Sequence, residues 1–224
     1  MKTFFILFLF TLKSFALSVY PLTNDFDIGQ NLSKTYDVRN DSKDRMVALE
    51  ISIENRTHKN GKEENTESLK DFKIFPQSLL LKPNQSKSVR ITYIGSKDLD
   101  KTKAYRIIFT EKPVKDQNYS KDFKTLMQFR TSAFVSPKNS KSSIKLIQSK
   151  IEKDKIYLKF KNDANRYQSF QDISLNLIDG KNKEKITARE EKSLMFILLP
   201  EEVREVVFPN TKGFKSTTKV EIDF

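Results

Sequence analysis

Side-chain polarity reverses at every second residue over much of this chain, and that alternation constrains the fold more than any other feature. Val47, Leu49, Ile51 and Ile53 alternate with Ala48, Glu50, Ser52 and Glu54, and Val89, Ile91 and Tyr93 alternate with Arg90 and Thr92. Tyr105, Ile107 and Phe109 keep the same rule. An extended strand turns successive side chains to opposite faces, so each run predicts a strand with one face in a core and the other in water. Turn-forming groups separate the runs: Asn40-Asp41-Ser42, Lys82-Pro83-Asn84, Gly95-Ser96 and Lys112-Pro113. The spacing predicts an all-β chain of immunoglobulin-like sandwiches.

A polar stretch, Pro137-Lys138-Asn139-Ser140-Lys141-Ser142-Ser143, interrupts the series and reads as a hinge or linker. Beyond it Ile156, Leu158 and Phe160, then Ile173, Leu175 and Leu177, then residues 194–199 and 203–208, then Val220, Ile222 and Phe224 form a second set of short strands. Two sandwiches in tandem are expected, over residues 17–137 and 138–224. Residues 1–16, MKTFFILFLFTLKSFA, have the layout of a cleaved signal peptide: Lys2, an apolar run, then Ser14 and Ala16 before the cut. That run is shorter than the roughly 20 residues a bilayer span takes. The mature chain is therefore expected to be exported, with no membrane insertion after cleavage.

Composition narrows the chemistry. The chain has no Cys and one His, His58, which excludes disulfides, thiolate nucleophiles and Cys- or His-rich metal sites. The segment around His58, with Glu63, Glu64 and Glu67, reads as a polar hairpin loop, and no metal or other cofactor is expected. No phosphate-binding loop, nucleophile elbow or paired-acid motif stands out, so the chain is not expected to be an enzyme. Lys+Arg of 41 against Asp+Glu of 29 gives a net charge of +12, spread without a dense basic block. Lys155-Ile156-Tyr157-Leu158-Lys159-Phe160-Lys161 interleaves basic and apolar groups. A half-buried strand accounts for that pattern, and no nucleic-acid partner is expected.

One segment has a recognisable order: Phe75-Pro76, then Leu79-Leu80-Leu81-Lys82-Pro83-Asn84-Gln85-Ser86, then Ser88-Val89-Arg90-Ile91, then Tyr105-Arg106-Ile107-Ile108, then Pro113. It resembles the PapD-like periplasmic chaperones of the chaperone/usher pilus pathway, and most closely their archaic branch. In the second half only Leu199-Pro200-Glu201-Glu202-Val203-Arg204 is similar to the family pattern, with Glu201 where a glycine is expected. The resemblance implies an L-shaped pair of sandwiches in the periplasm. It also implies pilus or fimbrial subunits and an outer-membrane usher as partners.

The resemblance further implies that the last strand of the first domain, residues 121–135, is lent to a subunit lacking one strand. Phe123, Thr125, Met127 and Phe129 share one face and would enter the subunit's groove. Without the resemblance, the same alternation describes an ordinary core-facing strand. Family members also anchor the subunit's terminal carboxylate with two basic residues. The usual first-strand arginine is absent here, where the count leads to Asn24, and the usual lysine position falls on Ser132. Arg130 is the leading substitute, with Arg106 and Arg90 on candidate neighbouring strands; each also reads as a solvated strand charge. The alternative reading is an exported cationic immunoglobulin-like module that binds an acidic surface or polysaccharide.

Overall fold

The computed structural model describes residues 17–59, 62–114, 126–180 and 182–223, so the expected signal peptide lies outside the described residues. The N-terminal half forms β1 (Leu17–Tyr20), β2 (Thr23–Asp27), β3 (Ser33–Asn40), β4 (Val47–Lys59), β5 (Lys62–Glu67), β6 (Phe72–Phe75), β7 (Ser78–Leu81), β8 (Ser86–Tyr93), β9 (Lys103–Lys112) and β10 (Gln128–Ser136). They make two sheets, one ordered β1-β3-β8-β6 and the other β2-β10-β9-β4-β5, with β7 also on β4. After β1 the chain passes through Tyr20-Pro21 and crosses to the second sheet, where β2 runs parallel to β10.

The alternating residues meet between these sheets. Tyr36, Val38, Val89 and Ile91 from one sheet face Ile51, Ile53, Ile107 and Phe109 from the other, all fully buried. Large apolar side chains of this kind contribute about 1.5–3 kcal/mol each when buried. Phe72 closes one end of the core, edge-on to Phe26, Tyr93 and Tyr105 at centroid distances of 5.6, 5.2 and 4.9 Å.

The second half forms β11 (Lys145–Ile151), β12 (Lys155–Lys161), β13 (Gln168–Ser169), β14 (Ser174–Asp179), β15 (Asn182–Thr187), β16 (Ile197–Leu198), β17 (Val203–Pro209) and β18 (Lys219–Asp223). The sheets are β11-β12-β17, β13-β16 and β15-β14-β18 around a separate core that includes Leu158, Phe160, Phe170, Leu175 and Leu198. Residues 194–199, expected as one strand, differ: Lys192–Leu194 is a single 3-10 turn, and only Ile197–Leu198 is extended. Leu194, Phe196 and Leu198 still enter the core, at the every-second-residue spacing that alternation gives them.

The polar stretch at 137–143 is fastened rather than free. The Arg166 N–H donates to the Lys141 carbonyl at 3.0 Å, and Arg166 Nη1 reaches Asp27 Oδ1 at 2.6 Å and Ser140 Oγ at 3.3 Å. Tyr167 stacks on Phe134 at 3.8 Å and donates its hydroxyl to Asp25 at 2.7 Å. Burial, then the Asp25 hydrogen bond, push that phenol upward, so it stays a neutral donor at any ordinary pH. The two sandwiches thus meet through charge-assisted bonds and one aromatic stack. Arg166→Ala is expected to cost about 1–2 kcal/mol, a partly solvated ion pair with several donors, and to broaden the inter-sandwich geometry seen by small-angle X-ray scattering. An unchanged scattering profile would mean that the remaining contacts, the stack, His58–Glu202 and the Thr102 N–H on the Asn165 carbonyl among them, set the angle without Arg166.

Candidate functional site

Among the described residues, the outer edge of the second sheet is open where β10 begins. β9 pairs with β10 from Gln128 to Val135, whereas β2 joins on the other side only from Ser132 onward. Two bonds fix the phase: the Glu111 N–H donates to the Met127 carbonyl at 2.9 Å, and the Ser132 N–H donates outward to the Leu22 carbonyl at 2.8 Å. In an antiparallel ladder the bonding direction alternates along the strand. Odd-numbered β10 residues therefore bond to β9, and the N–H and C=O groups of Gln128 and Arg130 point out of the sheet. None of the described strands pairs with them there. An open edge of this kind is a template for another strand.

The side chains sort with the same period. Thr131, Ala133 and Val135 are buried in the sandwich, and Phe129 and Met127 continue that face to its mouth, half-buried against the core. Phe123 and Thr125 lie outside the described residues. Leu126, Leu22 and Tyr20 are exposed, so the open edge has apolar surroundings.

Met127 is held at the point where β10 begins. Glu111, only 3% exposed, accepts the Met127 N–H at 3.2 Å through one oxygen and faces Arg45 Nη1 at 2.5 Å through the other. Alternation did contain a signal for Glu111: it continues the series Tyr105, Ile107, Phe109, so its parity puts a carboxylate on the core face.

The opposite face of β9 and β10 bears arginines. Arg106 and Arg130 lie on this face of adjacent strands, where Arg106 is opposite Ser132 and Arg130 is opposite Ile108. Arg106 Nη1 donates to Ser132 Oγ at 2.8 Å, which sets its guanidinium over the position where the sequence count expects a lysine. Arg130 Nη2 bonds Glu54 at 2.6 Å. Arg90 does not join them: it is on β8, in the other sheet, exposed between Thr35 and Phe75. The correction has a simple cause, since alternation reports which face a residue occupies but not which sheet. Asn24 is opposite Ala133 and faces inward beside the Tyr36 hydroxyl, whose pKa burial raises to about 12.

The segment read as a polar hairpin loop is a paired β4–β5 hairpin, and it supplies the rest of the arginine cluster. Glu63 receives Arg106 Nε at 2.9 Å and Nη2 at 2.6 Å, lies 2.9 Å from Arg56 Nε, and accepts Asn65 Nδ2 at 3.1 Å. The Arg106 bond is the main reason its carboxyl falls from 4.5 to about 2. Its ion pairs are therefore complete at neutral pH and are lost only as pH falls towards about 2. Arg56 is 8% exposed; burial, and then Arg106 nearby, lower its pKa. His58 Nδ1 is 3.1 Å from Glu202 of the second sandwich, which Arg204 also contacts at 3.3 Å. Burial opposes ionisation of Glu202, but His58, the Leu199 N–H and Arg204 outweigh it and leave its pKa lowered. A cleft of about 1140 Å³ between the sandwiches is lined by Arg56, His58, Lys101, Thr102 and Glu202 among others. Among the described residues, no group of three acids or histidines could hold a metal ion, and no helix is long and apolar enough to cross a membrane.

Two tandem sandwiches with an open edge at β10 and a basic face beside it define a class of two-domain β-sandwich folds. The model of the pili and flagellar-assembly chaperone family, PapD N-terminal domain, matches residues 28–141. The chain belongs to this family of pilus-assembly chaperones. No curated protein is detectably similar to it in sequence. Among solved structures, the SafA pilin–SafB chaperone complex of Salmonella enterica matches at 14% identity, with a TM-score of 0.59, over 89% of this chain and 86% of that one. The class 5 fimbriae chaperone CfaA matches at 16% identity and 0.58, over 93% and 99%. The CsuC–CsuE chaperone-tip subunit complex from archaic Csu pili of Acinetobacter baumannii matches at 14% and 0.56, over 90% and 93%. At these identities the likeness is one of fold.

Proposed function

We propose that this chain is a periplasmic chaperone, with domains 17–137 and 138–224, that captures pilus or fimbrial subunits by lending them the edge of β10 and passes them to an outer-membrane usher. The observation that carries this reading is the outward-facing backbone of Gln128 and Arg130, flanked by Met127 and Phe129 at the mouth of the sandwich. A subunit lacking one strand exposes a core groove and a sheet edge, and a lent strand satisfies both at once. Phe123, Thr125, Met127 and Phe129 are the groove residues in this reading. Arg106 and Arg130 are the anchors for the subunit's terminal carboxylate, since they flank the open edge on one face and offer two-pronged donors. The complexes of the Salmonella and Acinetobacter relatives with a pilin and a tip subunit support subunits as partners.

Purification from the native periplasm in moderate salt, followed by mass spectrometry of equimolar partners, tests the reading. A small secreted protein with one strand missing is expected. Retention on polyanions with no such partner, while fibre genes are expressed, would favour the cationic surface-binding module instead. Arg106→Ala is expected to weaken subunit binding by roughly ten- to a hundredfold, the loss of one charge-assisted contact of about 1.5–3 kcal/mol, with a much smaller change in melting temperature. Proportionate losses of affinity and stability would make Arg106 structural.

A further inference from the structure

We propose that Arg106 and Arg56 form a carboxylate-binding site which the free chain fills with its own Glu63, so that Glu63 is a built-in competitor of an incoming carboxylate. The role of that incoming group rests on the chaperone reading above. Three features support the site itself.

The first is geometry. Glu63 takes both Nε and Nη2 of Arg106, the two-pronged pairing by which a guanidinium holds a free carboxylate, and Arg56 Nε closes from a second strand at 2.9 Å. The second is charge. Around Arg56 the like charges are Arg106 and Arg204 and the opposite ones Glu63 and Glu202, so withdrawing Glu63 would leave Arg56 with two like charges against one carboxylate. Arg56 is buried, and a buried cation deprived of its counter-ion is costly. Exchange of one carboxylate for another keeps the balance. The third is the tether. Glu63 is on β5, Lys62–Glu67, which contains no apolar residue and, among the described strands, pairs with β4 only. Its side chain is 27% exposed, so it can rotate into solvent without unmaking core packing.

The site also touches the proposed lent strand. The third arm of Arg106, Nη1, bonds Ser132 Oγ of β10. A carboxylate that displaced Glu63 would therefore bond Arg106, which with Arg130 is a proposed anchor, in register with the open edge at 128–131. Competition of this kind discriminates by geometry, because a bound partner must bring both a strand and a terminal carboxylate to replace what it removes.

Acetate is a sufficient probe, since it has the carboxylate and nothing else. In the full-length mature chain, the arginine Nε–Hε resonances of Arg106 and Arg56 are followed by NMR during acetate titration at constant ionic strength. Glu63→Gln, which keeps the side-chain volume, is expected to bind acetate about tenfold or more tightly than wild type, because an internally occupied site lowers apparent affinity by the fraction that is open. The Arg106 signal should move, and Glu63→Gln/Arg106→Ala should lose the effect. Equal acetate affinity in wild type and Glu63→Gln would overturn the proposal, as would binding that persists without Arg106. Glu63→Ala repeats the comparison if Gln distorts the hairpin. The acetate result does not depend on any subunit, so failure of the chaperone reading, seen as no equimolar partner in the periplasm, is separately visible.

Discussion

Replacing Phe123 and Met127 together with aspartate is expected to abolish subunit capture while the chain stays folded. Met127 is only half-buried against its own core, so its loss removes little of the packing that holds the sandwich together. In a subunit groove the same two side chains would be fully covered. Each large apolar group so buried contributes about 1.5–3 kcal/mol, and two together correspond to a loss of at least a hundredfold in affinity. Aspartate adds the cost of placing a charge in an apolar groove. The measurements are co-purification of the subunit and the melting temperature of the free chain. Undiminished capture by a folded variant would remove the lending-strand assignment.

The second large effect concerns stability. Glu111→Ala is expected to destabilise the first sandwich by about 3–5 kcal/mol, the usual consequence of removing one member of a buried ion pair. Arg45 is 15% exposed and Glu111 3%, so water cannot readily replace the lost carboxylate. The Met127 N–H also loses its acceptor where β10 begins. Urea unfolding checks this through a lowered midpoint at unchanged slope. A loss below about 1 kcal/mol would indicate that the pair is screened as surface pairs are. The double variant Arg45→Met/Glu111→Met should recover most of the stability, because an apolar pair of similar size avoids burying charge.

Much of the architecture was legible in the sequence, since one buried face on each strand imposes a period of two. Val89, Ile91 and Tyr93, like Tyr105, Ile107 and Phe109, point where alternation placed them. Glu201 also explains itself. The expected glycine is the residue suited to its positive φ of 65°, and Glu201 adopts that conformation while pairing with Lys101.

What stayed hidden depends on contacts between distant segments. β5, KEENTE, has no apolar side and therefore no period, so a paired strand looked like a loop. Arg56 and His58 occupy the outer face of β4, where alternation predicts water. They are buried because the second sandwich brings Glu202 against that face. The stretch at 137–143 reads as a hinge by composition, but Arg166 fastens it from about 25 residues further on through Lys141 and Ser140. Arg90 shares the alternation of Arg106 and Arg130 and lies in the other sheet. The cluster around Glu63 needs both the β4–β5 hairpin and the contact with the second sandwich, so no local pattern announced it.

The most direct measurement of strand donation is backbone amide hydrogen exchange of Gln128 and Arg130, in the free chain and in its complex with the co-purified subunit. Their N–H groups point out of the sheet in the free chain, so both should exchange quickly there and become strongly protected when a subunit strand pairs with β10. Continued rapid exchange at both amides in an intact complex would contradict strand donation.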